Sequence, residues 1–358
     1  MINDKLIQRV NKIAHSLEID DKLDNLKCLA FMAEYKYDHY EMFQPGGRFF
    51  DHFGEWLKQF NVEDRKVAIE MLCDRLVFVS QREMQELAHY LYYNVIVPEL
   101  FKLIIKKENL PPYAFRVAFD QYFKPYLRKT LFMGLSDSAR IDYFRRHHIE
   151  LSQDQVIPFY RSKHDEYTEK LRKETKDPKA EFQRVILVDD FTASGYTLLH
   201  KDKDGKLDGS LMRVLDLHKD IIGSADLILI AYYIASRQTI DHINSLIAEV
   251  PEYAGKTQFV EAMCLELKNT VKQQDGEPPL NDKIRKLCEN YYNVTFENIN
   301  TLKGGNILYG FGGSGLTLSM HSNTPNNSIY ILWLDQDETE DKTPFYPLFR
   351  RIDRHRMR

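Results

Sequence analysis

Apolar residues in the first 110 positions recur every three or four residues. In NVEDRKVAIEMLCDRLVFV (61–79), Val67, Ile69, Leu72, Leu76 and Val77 follow that period. Asn61 stands where such a helix would be capped, and Glu63 and Asp64 suit its first turn. Ser80 and Glu83 have capping-box spacing ahead of a second periodic stretch, 81–104. No alternating strand pattern interrupts this region, and QPGGRFF (44–50) reads as a turn. The pattern predicts an all-α N-terminal domain over residues 1–110.

The texture changes at Pro111-Pro112. Short apolar runs at 130–135, 184–188, 225–235, 257–267 and 328–334 read as strands. Helical patterns follow several of them, at SDSARIDYFRRHH (136–148) and QTIDHINSLIAEV (238–250), and a helix is expected directly after Gly195. Strand and helix in alternation predict an α/β domain over residues 111–358, with a largely parallel sheet covered on both faces. Such sheets bind ligands beyond the carboxyl ends of their strands. Thirteen of the 23 residues at 161–183 are charged. The plain reading is a solvated helix or mobile loop, and the sharper one a loop that closes over a ligand.

Composition narrows the class. The chain is 43% hydrophobic and 28% charged, ordinary for a globular protein that buries a core. A formal net charge of −4 argues against general electrostatic binding of nucleic acid. The four cysteines, Cys28, Cys73, Cys264 and Cys288, form no CxxC pair, so neither zinc nor a disulfide framework is indicated. The N-terminus lacks the features of a signal peptide. The longest apolar run, LILIAYYIA (227–235), is about half of what a membrane helix needs. A cytoplasmic protein is expected, with no membrane partner.

Chemistry concentrates in RVILVDDFTASGYTLL (184–199). An apolar strand runs into two carboxylates, Asp189 and Asp190, and then into Thr192, Ala193, Ser194, Gly195 and Thr197. Backbone amides reached through a tight turn make an anion site, and hydroxyls can join them. Two carboxylates would repel that anion, so they suit sugar hydroxyls or a hydrated magnesium ion. The pattern asks for a ligand with a phosphate, vicinal hydroxyls and a divalent cation.

This stretch resembles the phosphoribosyl pyrophosphate (PRPP) loop of type I phosphoribosyltransferases. The resemblance implies a magnesium-dependent phosphoribosyltransferase, with a sheet of that family's kind behind the helical domain. It implies that Asp189 and Asp190 are the catalytic pair that holds the ribose hydroxyls or metal-bound water, and that Thr192, Ala193, Ser194, Gly195, Tyr196 and Thr197 wrap the 5-phosphate. The family usually has a small residue where Tyr196 stands. GLSDSAR (134–140) takes the place of the family's pyrophosphate loop, through Ser136, Asp137 and Arg140, although Ser136 or Asp137 could simply cap a helix. A catalytic lysine is not assignable among Lys163, Lys170 and Lys173. More widely, LRKTLFMGLSDSARIDYFRRHHIELSQDQV, HSNTPNNSIYILW and FYPLFRR are similar to phosphoribosyltransferase-like effectors of bacterial anti-phage systems, some of which accompany retrons. Two alternatives share the pocket: a non-catalytic PRPP or nucleotide sensor held by a partner, and an N-glycosidic hydrolase.

His321, Asn323 and Asn327 in HSNTPNN could read a base or amine acceptor, or form only a turn. Gly310, Gly312 and Gly315 spell GxGxxG without a following helix pattern, so a glycine-rich turn is expected. His147-His148 would favour a helix dipole. The basic tail from Arg350 is a solvated end or a contact for nucleic acid or an acidic partner. Phe43, Phe49, Phe50, Phe53, Trp56 and Phe60 lie within 18 residues. They suggest an apolar surface through which the helical domain would dock a protein or ribonucleoprotein.

Overall fold

The computed structural model describes residues 4–19, 23–136, 139–158, 164–222, 224–297, 305–339 and 343–352. The chain forms two compact units, Gln85–Leu265 and a discontinuous one made of Met1–Met84 with Glu266–Arg358. These limits differ from the expected division at residue 110.

Gln85–Leu265 is built on five parallel strands: β1 (Thr130–Gly134), β2 (Val156–Ile157), β3 (Arg184–Thr192), β4 (Leu227–Ser236) and β5 (Thr257–Leu265). Their order across the sheet is β2-β1-β3-β4-β5. All of β1 and β4 is buried, because helices cover both faces of a parallel sheet and the strands read as continuous apolar runs. The covering helices include α1 (Ile141–His147), α2 (His164–Thr175), α3 (Ser210–Leu217) and α4 (Arg237–Ile247). In the charge-rich 161–183 stretch, α2 buries Tyr167 and Leu171 in the sheet's core and turns its charges outward. Two-residue β2 carries too little pattern to be read from sequence.

The other unit is mainly helical. Asn61 caps helix Val62–Asp74 by accepting from the Asp64 amide at 2.9 Å. Ser80 and Glu83 make the expected reciprocal pair, with the Ser80 amide donating to Glu83 at 2.8 Å and the Glu83 amide to Ser80 Oγ at 3.3 Å. Two expectations fail here. Val77–Val79 is a short strand, paired in parallel with Leu318–Met320, so the helix period stops at Asp74. The 328–334 run forms a buried 3-10 turn at Tyr330–Leu332 instead of a strand. All six N-terminal aromatics are core residues, and Phe43, the most accessible, is 9% exposed. They pack with Trp333, Phe345 and Phe349 from the distant second segment, so they leave no apolar face for a partner. Gly310, Gly312 and Gly315 all have positive φ in a tight turn, and a Cβ on Gly310 would sit 2.2 Å from the Asn327 carbonyl oxygen.

Candidate phosphate and ribose site

Sheet topology singles out one place. From β1 the chain moves outward to β2, then crosses to β3 and continues to β4 and β5. The connections therefore part between the neighbours β1 and β3, and open parallel sheets bind ligands beyond the strand ends at such a point. Asp189 and Asp190 lie in the last turn of pairing of β3, and Ser136 lies just beyond β1. The Ser136 hydroxyl donates to Asp189 Oδ1 at 2.7 Å, across that point. The Asp190 amide donates to the same oxygen at 3.1 Å.

Tyr232 on β4 is the register partner of Asp189 and hydrogen-bonds its carboxylate. Burial pushes the Tyr232 hydroxyl well above its ordinary pKa, and the charges of Asp189 and Asp190 push it further. Its neighbour Tyr233 shifts the same way, from burial first and then from the two aspartates. Both tyrosines thus stay neutral and can only donate or accept hydrogen bonds. Asp189 is 8% exposed and tied to three adjacent strands, whereas Asp190 is more open.

The turn after β3 is fixed from below. The Ser236 hydroxyl, which also caps α4, donates to the Ala193 carbonyl. Gly195 has φ +73, and a Cβ there would stand 3.1 Å from His242 Cδ2 and 3.3 Å from Thr239 Cγ2. Its bare side thus faces α4. The amides of Ser194, Gly195 and Thr197 donate to no group among the described residues. Thr192 and Ala193 are buried, while Thr197 is exposed. The Tyr196 ring stacks on His200 at 4.2 Å, so the unusual bulk at Tyr196 has a partner within the turn.

The expected helix does not follow Gly195 directly. One turn forms, with the Leu198 and Leu199 amides donating to Gly195 O at 3.0 and 2.9 Å. A hairpin, His200–Lys201 with Leu207–Asp208, is then spliced in before α3. The splice is closed by the Ser210 and Leu211 amides, which return to Thr197 O and Leu198 O, each at 3.0 Å. Gly209 allows it: at φ +137, a Cβ would lie 2.4 Å from the Leu198 carbonyl oxygen.

Around the second loop, α1 starts at Ile141 without a side-chain cap, and the Ser136 hydroxyl goes to Asp189. Arg140 adopts a left-handed conformation (φ 47), a strained choice for a non-glycine residue. Its charge acts on Tyr233, opposing that hydroxyl's upward shift. Asp137 and Lys163 lie outside the described residues. Lys170 is exposed and pairs with Glu166 at 3.3 Å, and Lys173 is exposed on the same helix. His148 is buried and pushed down to about 4 by that burial, so it is neutral and not a dipole-favouring cation.

His321, Asn323 and Asn327 belong to the discontinuous unit. Asn323 binds the Ile352 backbone, accepting at 3.2 Å and donating at 3.0 Å, and Asn327 donates to Phe311 O at 2.9 Å. His321 is buried beside Glu41. Sequence reasoning missed Tyr232 and Gly209. Tyr232 was legible only as one more apolar strand position, and Gly209 only as the end of a polar turn. No cluster of three or more His, Cys, Asp or Glu side chains among the described residues is arranged to hold a metal.

The family model PRTase-CE matches residues 53–351. The chain belongs to this family. The match spans all of Gln85–Leu265 and runs into both segments of the other unit, and it makes the PRTase-CE chain phosphoribosyltransferase-like. No curated protein and no solved structure matches. No helix among the described residues is long and apolar enough to cross a membrane.

Proposed function

We propose that this PRTase-CE chain is a magnesium-dependent phosphoribosyltransferase that takes PRPP or a related ribose 5-phosphate ligand. The observation that carries the reading is the Ser136–Asp189 hydrogen bond across the β1/β3 switch point. It sets a held carboxylate pair beside a turn with three undonated amides. Asp190, the more open partner, and Asp189 would hold the ribose hydroxyls, and residues 193–197 would take the 5-phosphate. Magnesium commonly uses one or two carboxylates together with water and ligand phosphates, and Asp189 and Asp190 could supply the carboxylates. The metal would supply charge neutralisation for the leaving pyrophosphate. The chain's own part would be positioning, since glycosidic displacement at C1 gains most from orientation and fixed charge. Ser136 and Arg140 would stand on the pyrophosphate side.

Calorimetry with PRPP and magnesium tests the site. Asp189→Asn with Asp190→Asn should lose binding and keep the wild-type thermal transition. Unchanged affinity in that double variant removes the ribose assignment. Incubation with PRPP, magnesium and a metabolite extract, followed by mass spectrometry, tests for transfer through pyrophosphate release. A role in anti-phage defence rests on the resemblance alone; phage challenge of cells carrying the double aspartate variant would test it.

A further inference from the structure

An aromatic surface in the Gln85–Leu265 unit has no role in the site above. A helix runs from Phe115 to Arg128, and its middle, Ala118–Phe123, is π-helical. Phe115, Phe119 and Phe123 are spaced by four. In an α-helix such residues drift by about 40° per step around the axis. The wider π turn reduces that drift and keeps the rings on one line. Phe101 joins them from helix Val97–Lys107: its ring lies 4.9 Å from Phe123 at 4°, and 6.3 Å from Phe119 at 17°. Phe119 and Phe123 are themselves 5.6 Å apart at 17°. Phe101, Phe119 and Phe123 thus share nearly one plane orientation, with Phe119 59% exposed, while Phe115, 57% exposed, meets Phe101 edge-on at 6.3 Å and 68°.

The surface is also basic. Seven lysines and arginines lie from Lys102 to Lys129 against two carboxylates in that span. Lys102 pairs with Glu99, Lys107 with Asp226, Arg116 with Asp120, and Arg128 with Asp154 and Glu174. Phe101, Phe115 and Phe123 are each followed directly by a cation: Lys102, Arg116 and Lys124. Lys106 and Lys124 are exposed and pair with no carboxylate among the described residues. Like charge disfavours a second copy of this ridge as its cover. An exposed ring at the end of a parallel stack, Phe119, and a second exposed ring, Phe115, with cations on the same helices, fit a strand of nucleotides, whose bases stack on aromatic faces and whose phosphates need cations.

We propose that this ridge binds single-stranded nucleic acid, with bases stacked on Phe115 and Phe119 and phosphates held by Lys102, Lys106, Arg116 and Lys124. Fluorescence anisotropy of the full chain with labelled oligothymidylate and oligouridylate tests it. Binding should weaken steeply with salt, and duplex DNA of equal length should bind less well. Phe115→Ala with Phe119→Ala should weaken single-strand binding roughly tenfold or more. Both side chains are exposed, so circular dichroism should stay unchanged. Lys106→Glu with Lys124→Glu should weaken binding and flatten its salt dependence. Four results overturn the proposal: no single-strand binding at low salt, equal affinity for duplex, wild-type affinity in the phenylalanine variant, or capture of an acidic peptide or anionic vesicles in place of oligonucleotide.

Discussion

A buried histidine shows how one residue's surroundings decide its charge. His148 is fully buried, and one ring nitrogen contacts the Phe144 carbonyl at 2.6 Å. A carbonyl only accepts, so that nitrogen, Nδ1, carries the proton. Nε2 finds no partner among the described residues, and the rings of Tyr92, Tyr93 and Phe144 surround it. His89 and His147 add to the cost of a charge there, Glu150 and the Phe144 carbonyl oppose them, and burial dominates, holding His148 at about 4. The unfolded chain, with an ordinary histidine near 6.5, binds the proton more readily. Stability from this residue is therefore complete above about pH 6.5 and is lost as pH falls towards 4, by up to about 3 kcal/mol. His148→Phe should abolish that share of the acid sensitivity in urea melts recorded across the window. An identical pH slope in the variant would place the sensitivity elsewhere. Asp189, also buried, is instead held by hydrogen bonds from Ser136, the Asp190 amide and Tyr232.

At the scale of elements, the spliced hairpin governs the phosphate turn. Gly209 lets α3 resume the hydrogen bonding that the turn began, because any Cβ there would overlap the Leu198–Leu199 backbone. Gly209→Ala should destabilise the unit by about 2 kcal/mol or more and weaken PRPP binding with it. Gly205→Ala, at the open hairpin tip with φ +77 and no atom within 4 Å, should cost only its backbone strain and spare binding. Chemical denaturation of both variants separates these outcomes. The carboxylate pair and hydroxyl-rich turn were legible because strand and turn follow one another in sequence. The hairpin was not, since its strands are two residues long and its register depends on contacts with Leu198 that no local pattern carries. Val77–Val79 was hidden in the same way: three residues cannot override a helix period that precedes them, and the partner strand lies over 200 residues away.

At the scale of the whole molecule, the domain boundary was the least legible feature. Pro111-Pro112 marks a change of texture in the sequence, yet it lies inside Gln85–Leu265. Aromatic periodicity marked Phe49, Phe53 and Trp56 as apolar, but nothing nearby showed that residues beyond 266 bury them. Trp56 donates to the Ile331 carbonyl at 2.6 Å, and Phe49 packs 5.8 Å from Phe349. A fragment of residues 1–110 lacks these partners and should not melt cooperatively. Residues 85–265 retain their own sheet and core, and should show one sharp transition with near-native circular dichroism. A cooperative transition for 1–110 would contradict the discontinuous unit.

That discontinuity sets an order of events during synthesis. Trp56 leaves the ribosome 275 residues before Ile331, its hydrogen-bond partner. At ordinary elongation rates this is roughly 14 to 55 s. Through that interval the inserted sheet unit can complete its fold, while the first aromatics wait uncovered in the nascent chain. The chain should therefore lean on co-translational chaperones that shield apolar segments. A premature stop near residue 325 would leave the sheet unit able to fold and the other without its core. Truncation near the end of the message would thus harm the beginning of the protein.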